Sequence, residues 1–154
     1  MALDVDNDQL AAVAPEIWDM MLSLGLDPMA DAPAELFPTG ESTMTGLVTV
    51  SGDWTGAIAV QCSTEAARRF AAAMFMADDG TELSEDEVHD AQAELTNMTG
   101  GNIKNMLPGN CKIGIPSVTE GTGYVVKVPR TTPIHKMVYD CRGDRVLVTV
   151  FEAR

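Results

Sequence analysis

Positive charge is scarce in this chain: 10 Lys and Arg stand against 23 Asp and Glu, for a formal net charge of −13. A surface this negative repels phosphate backbones and anionic headgroups, and the basic residues are scattered apart from the pair Arg68 and Arg69, so neither nucleic acid nor a membrane surface is an expected partner. Long apolar runs are missing as well. None approaches the roughly 18 to 20 residues that span a bilayer, and the opening MALDVDNDQL has neither the basic start nor the apolar stretch of a secretory signal. The expected compartment is the cytoplasm.

Cysteine and histidine are few. Cys62, Cys111 and Cys141 are odd in number, far apart and form no C-x-x-C pair, which argues against a disulfide framework or a zinc knuckle and for buried free thiols. His89 and His135 each lack a second His or Cys at ligand spacing, so no intrinsic metal site is expected. The glycine-rich Glu120-Gly121-Thr122-Gly123 lacks the Gly-Lys-Ser/Thr ending of a phosphate-binding loop. No nucleophile stands beside a partner base either, since Ser84 reads as a helix cap.

What is present is a foldable domain. Hydrophobic residues make up 45% of the 154 and charged ones 21%, with no low-complexity tract, so residues 1–154 read as a single domain with a full core. Asn7 and Asp8 are plausible caps for a first amphipathic helix, whose Leu10, Val13, Ile17, Met20, Met21 and Leu24 recur at helical spacing up to a stop at Gly25. Trp18 falls on its apolar margin, which points to the core. Pro28, Pro33 and Pro38 make Asp27 to Glu41 a surface loop. Thr45 to Ser51 and Ala57 to Cys62 suit the strands of a hairpin turning through 52–56. Ser63 caps a second helix running toward Met76, ended by Asp78-Asp79-Gly80, and Ser84-Glu85-Asp86-Glu87 fits the capping box of a third, longer one. Beyond Pro108 the chain turns β-like: Tyr124 to Val128, Lys136 to Cys141 and Arg145 to Phe151 are expected strands, separated by Pro129, Pro133 and Arg142-Gly143-Asp144. The fold class is α+β, a mainly antiparallel sheet with helices packed against it.

The third helix collects the polar chemistry. At about 100° per residue, Val88, Ala91, Leu95, Met98 and Met106 share one side, with Ile103 at its edge, and that side faces the core. Asp90, Glu94, Asn97, Gly101 and Lys104 form a stripe on the other. Gly100 and Gly101 sit one turn past Asn97, where each costs about 1 kcal/mol relative to Ala; either the helix bends there or another chain approaches its backbone closely. Spacing alone says only that a carboxylate and a carboxamide lie side by side near a small-residue notch, which a merely solvated face also satisfies.

The run Asp90-Ala-Gln-Ala-Glu94-Leu-Thr-Asn97-Met-Thr-Gly-Gly-Asn102-Ile-Lys104 resembles the signature of the CheC/CheX chemotaxis phosphatases: an Asp or Ser, Glu after three intervening residues, Asn after two more. The likeness extends loosely over the first helix, the hairpin with Trp54-Thr-Gly-Ala, the Ala-rich second helix and the strand-rich last third. CheC-type members carry two such motifs. Here Glu16-Ile-Trp-Asp19 in the first helix has an acid where the carboxamide would stand, which points to the single-motif CheX branch. The family's downstream proline has its nearest counterpart in Pro116, a few residues early.

The resemblance implies a CheC/CheX-like fold and a phosphatase acting on the phospho-aspartate of a CheY-type response-regulator receiver domain. By that resemblance Asn97 orients the attacking water and Glu94 meets the receiver's lysine, with Asp90, Gly100, Gly101 and Lys104 in the partner-binding surface. Mg²⁺ would sit on the receiver, none on this chain. A homodimer formed through β-strands is expected. The alternative is a non-catalytic receiver-binding module of the same fold.

Overall fold

The computed structural model describes residues 5–78 and 81–154. Helix α1 (Asn7–Leu22) is capped not by Asn7 or Asp8 but by Asp6, whose carboxylate accepts from the backbone N–H groups of Asp8 and Gln9. It also ends before Gly25. Ser23 takes the left-handed conformation at φ 54° and gives its N–H to the Asp19 carbonyl, while Leu24 N–H reaches back to Trp18, so the last carbonyls find donors without a glycine. Pro15 lies inside this helix and has no N–H for the Ala11 carbonyl. The Tyr139 hydroxyl donates to that carbonyl instead, at 2.9 Å. Burial pushes the Tyr139 pKa up to about 12, so the phenol remains a donor through the neutral range.

The proline-bearing loop contributes a two-residue strand, β1 (Asp27–Pro28), before crossing the surface. The hairpin follows as β2 (Thr43–Gly52) and β3 (Gly56–Ser63). Ser63 caps α2 (Thr64–Met74), accepting from Ala66 N–H at 3.0 Å. Of the expected stop at 78–80, Asp79 and Gly80 lie outside the described residues. The capping box forms as expected: Ser84 Oγ accepts from Glu87 N–H at 3.1 Å, and Glu87 Oε1 from Ser84 N–H at 3.0 Å, opening α3 (Glu85–Lys104).

The later strands differ from expectation. Cys111–Ile113 and Ser117–Gly121 form two short strands, β4 and β5, where none was expected. Residues 124–128 make no strand. They lie instead on the helix-free face of the sheet, where Val126 and Val128 pack with Ala57, Ala59 and Phe151, and the Tyr124 hydroxyl bonds Thr45 Oγ1 at 2.8 Å. The run read as a strand is thus buried on one side without joining a ladder. Pro133 does not separate two strands; it sits inside β6 (Thr131–Cys141), where the register shifts between Pro133 and His135 and the ladder tolerates a residue without N–H. A tight turn leads to β7 (Asp144–Ala153).

The strands pair antiparallel throughout, in the order β1-β6-β7-β3-β2-β4, with β5 also on β2. Strand period two sends Val48, Ile58, Val60, Val146, Val148 and Val150 to one face, and all three helices cover it. Trp18 is buried there, edge-to-face with Phe70 at 5.6 Å. Trp54, at the hairpin turn, is buried too and donates from Nε1 to Glu152 at 2.7 Å. Cys62 and Cys141 are buried thiols, and burial raises the pKa of both; Cys111 is only partly buried.

Removing the phenol should leave the Ala11 carbonyl without a donor. Tyr139→Phe is expected to cost about 1–2 kcal/mol in denaturant melts, and Pro15→Ala, which restores a helical N–H, should shrink that cost in a double-mutant cycle. Equal losses in both backgrounds would contradict this account of the pair.

Candidate functional site

Helix α3 packs on α1, α2 and the hairpin sheet, and its inner side is more polar than the wheel implies. Val88, Ala91, Leu95 and Ile103 are buried as expected, whereas Met98 and Met106 are only partly so. Gln92, Thr96 and Thr99 are buried among them. Gln92 Nε2 donates to the Val60 carbonyl at 3.0 Å, tying the helix to β3, and Thr96 Oγ1 turns back to the Gln92 carbonyl at 2.7 Å.

Two glycines set how closely the helix lies on the sheet. A Cβ on Gly46 of β2 would overlap the Thr96 side chain, and one on Gly100 would stand 2.6 Å from Val48 Cγ2. Gly100 is therefore buried and accounted for by packing, which corrects its expected place in a partner-binding surface. Gly101 differs: it is partly exposed, and its nearest neighbour beyond the helix, Ile113 Cδ1, would be at an ordinary 3.8 Å from an added Cβ.

On the outer side Asp90 and Glu94 are exposed, while Asn97, Gly101 and Lys104 are partly exposed. Among the described residues no hydrogen bond or ion pair engages the side chains of Asp90, Glu94 or Asn97. Asp90, Ala93, Glu94 and Asn97 form one wall of an open groove of about 670 Å³. The other wall is Ile113-Gly114-Ile115-Pro116, the break between β4 and β5. Sequence reasoning missed this wall, although a Gly-Ile-Pro run is a recognisable interruption of a strand. It also missed the contact of His89 Nε2 with Glu120 Oε1, 2.9 Å apart, which joins the start of α3 to β5.

A larger hollow of about 760 Å³ lies elsewhere, between the proline-bearing loop and the start of α2. Its charges are mixed, and Arg69 is already engaged by Asp144 and Arg145 by Asp140. The groove beside α3 is smaller but holds two carboxylates, Asp90 and Glu94, and a carboxamide, Asn97, that nothing among the described residues engages, so it is the better candidate. Among the described residues no three His, Cys, Asp or Glu side chains come together to hold a metal ion, and no helix is long and apolar enough to cross a membrane.

Residues 44–140 match the family model described as chemotaxis phosphatase CheX. No curated protein matches the chain. Among solved structures, the chemotaxis protein CheX from Vibrio vulnificus is 20% identical with a TM-score of 0.74, the alignment covering 95% of each chain. CheX from Desulfovibrio desulfuricans is 17% identical over 94% of this chain and 97% of its own, with a TM-score of 0.73. A CheX-CheY-BeF3-Mg²⁺ complex from Borrelia burgdorferi is 15% identical over 97% and 99%, with a TM-score of 0.66. At these identities the likeness shows a shared fold.

The two adjacent glycines should respond in opposite directions. Gly100→Ala pushes a Cβ against the stiff Val48 and is expected to lose about 1–2 kcal/mol, whereas Gly101→Ala has room and should gain about 0.5–1 kcal/mol of helix stability. Thermal melts of the two variants check this, and a shift of the same sign in both would contradict the packing described.

Proposed function

The chain is a member of the CheX family of chemotaxis phosphatases, and on that premise we propose that it hydrolyses the phospho-aspartate of a CheY-type receiver domain, docked on the outer stripe of α3. The observation that carries this reading is the pair Glu94 and Asn97, stacked one helical turn apart, unengaged among the described residues, on a helix that glycine contacts and Gln92 hold down. The Borrelia relative in complex with CheY, BeF3 and Mg²⁺ supports the choice of partner.

An acyl phosphate is already activated. Hydrolysis requires a water oxygen to bond to phosphorus in line with the departing carboxylate, which breaks the acyl P–O bond, regenerates the aspartate and releases inorganic phosphate. The receiver contributes its own Mg²⁺ and lysine for charge neutralisation, so this chain adds position. The Asn97 carboxamide, with one acceptor and two donor hydrogens, holds the water on the line of attack. Glu94 makes a charge-assisted contact with the receiver's lysine and so fixes the docked register, and Asp90 extends that acidic edge. Gly101 leaves room for the receiver's loops against the helix backbone, with Lys104 at the far end of the stripe. None of these groups acts as a strong base. The setting is cytoplasmic, where receiver domains work.

Asn97→Ala should lower the acceleration of receiver dephosphorylation about a hundredfold, and Glu94→Ala should lower kcat/KM about tenfold. Both are expected to leave stability within about 0.5 kcal/mol of wild type. The measurement is the decay of phosphorylated receivers from the source organism with Mg²⁺ present, and unchanged rates in the double variant would sink the reading. Saturable binding with an unaltered phosphoryl lifetime would instead favour a non-catalytic receiver-binding module.

The same reading includes a homodimer. β1 pairs with Asp140 and Tyr139 of β6, and Met29 N–H continues to the Val138 carbonyl at 2.8 Å, which leaves the β6 edge before Val138 for a strand of a second copy. Light scattering at micromolar concentration should give twice the chain mass; a monomer mass contradicts the dimer.

A further inference from the structure

The second wall of the groove has no role in the chemistry just described, yet it carries an unusual side chain. β4 pairs with Val50 to Gly52 of β2, and β5 with Thr43 to Leu47, so one edge of the sheet is interrupted at Gly114, Ile115 and Pro116. The interruption leaves Ile115 93% exposed, more than any other large apolar side chain among the described residues. Its neighbours are held in place. Gly114 donates its N–H to the Thr49 carbonyl at 2.8 Å and packs so close that a Cβ there would meet Thr49 Oγ1 at 2.8 Å, while Pro116 restricts its own φ. Ile115 is thus an apolar side chain presented to water from an anchored segment, across the groove from Glu94 and Asn97.

We infer that Ile115 is the apolar anchor that seats the receiver domain in this groove; the inference rests on the function proposed above. Asp90 and Glu94 are exposed, so their contacts orient a partner and speed its arrival but are weakened by salt. Holding a docked domain long enough for hydrolysis calls for apolar area removed from water near the centre of the contact. Ile115 lines the same groove as the two functional side chains, so a receiver that brings its lysine to Glu94 also covers it. The roles then divide: Asn97 acts on the bound phosphoryl group, and Ile115 governs how much receiver is bound.

The test is a saturation series of phosphorylated receiver with wild type, Ile115→Ser, Ile115→Val and Asn97→Ala, alongside thermal melts. Ile115→Ser should raise KM about tenfold, the change expected when a side chain of this size no longer leaves water. It should leave kcat and the melting temperature unchanged, and Ile115→Val should recover most of the affinity. Asn97→Ala should instead lower kcat with KM retained. A KM within twofold of wild type for Ile115→Ser overturns the anchor, as does a lowered melting temperature that accounts for the loss. If Asn97→Ala is impaired while Ile115→Ser is not, the anchor falls and the phosphatase reading stands. If wild type accelerates no receiver, both fall together.

Discussion

The close seating of α3 on β2 is the constraint on which the rest of the molecule depends. Gly46 has no Cβ where Thr96 arrives, and Gly100 has none where Val48 stands, so helix and sheet approach more closely than ordinary side chains permit. The Gln92 carboxamide adds a directional tie to the Val60 carbonyl. A helix held at two heights and one register has a fixed rotation about its axis, and that rotation decides which residues face out. Asp90, Glu94 and Asn97 lie on the outer side because Gln92, Thr96 and Gly100 are committed to the inner one. Positioning by a carboxamide needs a support of this kind, since a displacement of about 1 Å can cost a hundredfold in rate.

Much of this was legible in the residues. The capping box at Ser84 and Glu87 set the start of α3, and the periodicity that followed put the stripe on its outer side. The hairpin and the cap at Ser63 were equally readable, because turn and cap chemistry is local. What escaped depended on contacts between distant segments. Tyr124 to Val128 has the composition of a strand, but Val126 and Val128 find Ala57, Ala59 and Phe151 on the back of the sheet rather than a neighbouring ladder. β4 and β5 are too short to announce themselves and exist because β2 offers an edge to both. Gly100 and Gly101 look alike in the chain; only the position of Val48 separates a packing glycine from one with room beside it.

The division of labour suits the chemistry. A phospho-aspartate with its own metal ion and lysine needs position from a second protein rather than a nucleophile or a strong base, and position is what the proposed reading asks of the groove. It offers a carboxamide, a carboxylate and an apolar side chain on two walls of one groove. The negative charge of the chain sets no direction by itself, being spread over the whole sequence.

The central claim, that the outer stripe of α3 enters a receiver's active site, is tested most directly by the structure of this chain bound to its receiver carrying Mg²⁺ and BeF3 in place of the phosphoryl group. The account predicts the Asn97 carboxamide within about 3–4 Å of the in-line water position, near-attack range, with Glu94 on the receiver's lysine and Ile115 removed from solvent. A receiver seated against α1 or the helix-free face of the sheet, with Asn97 left in water, would contradict it.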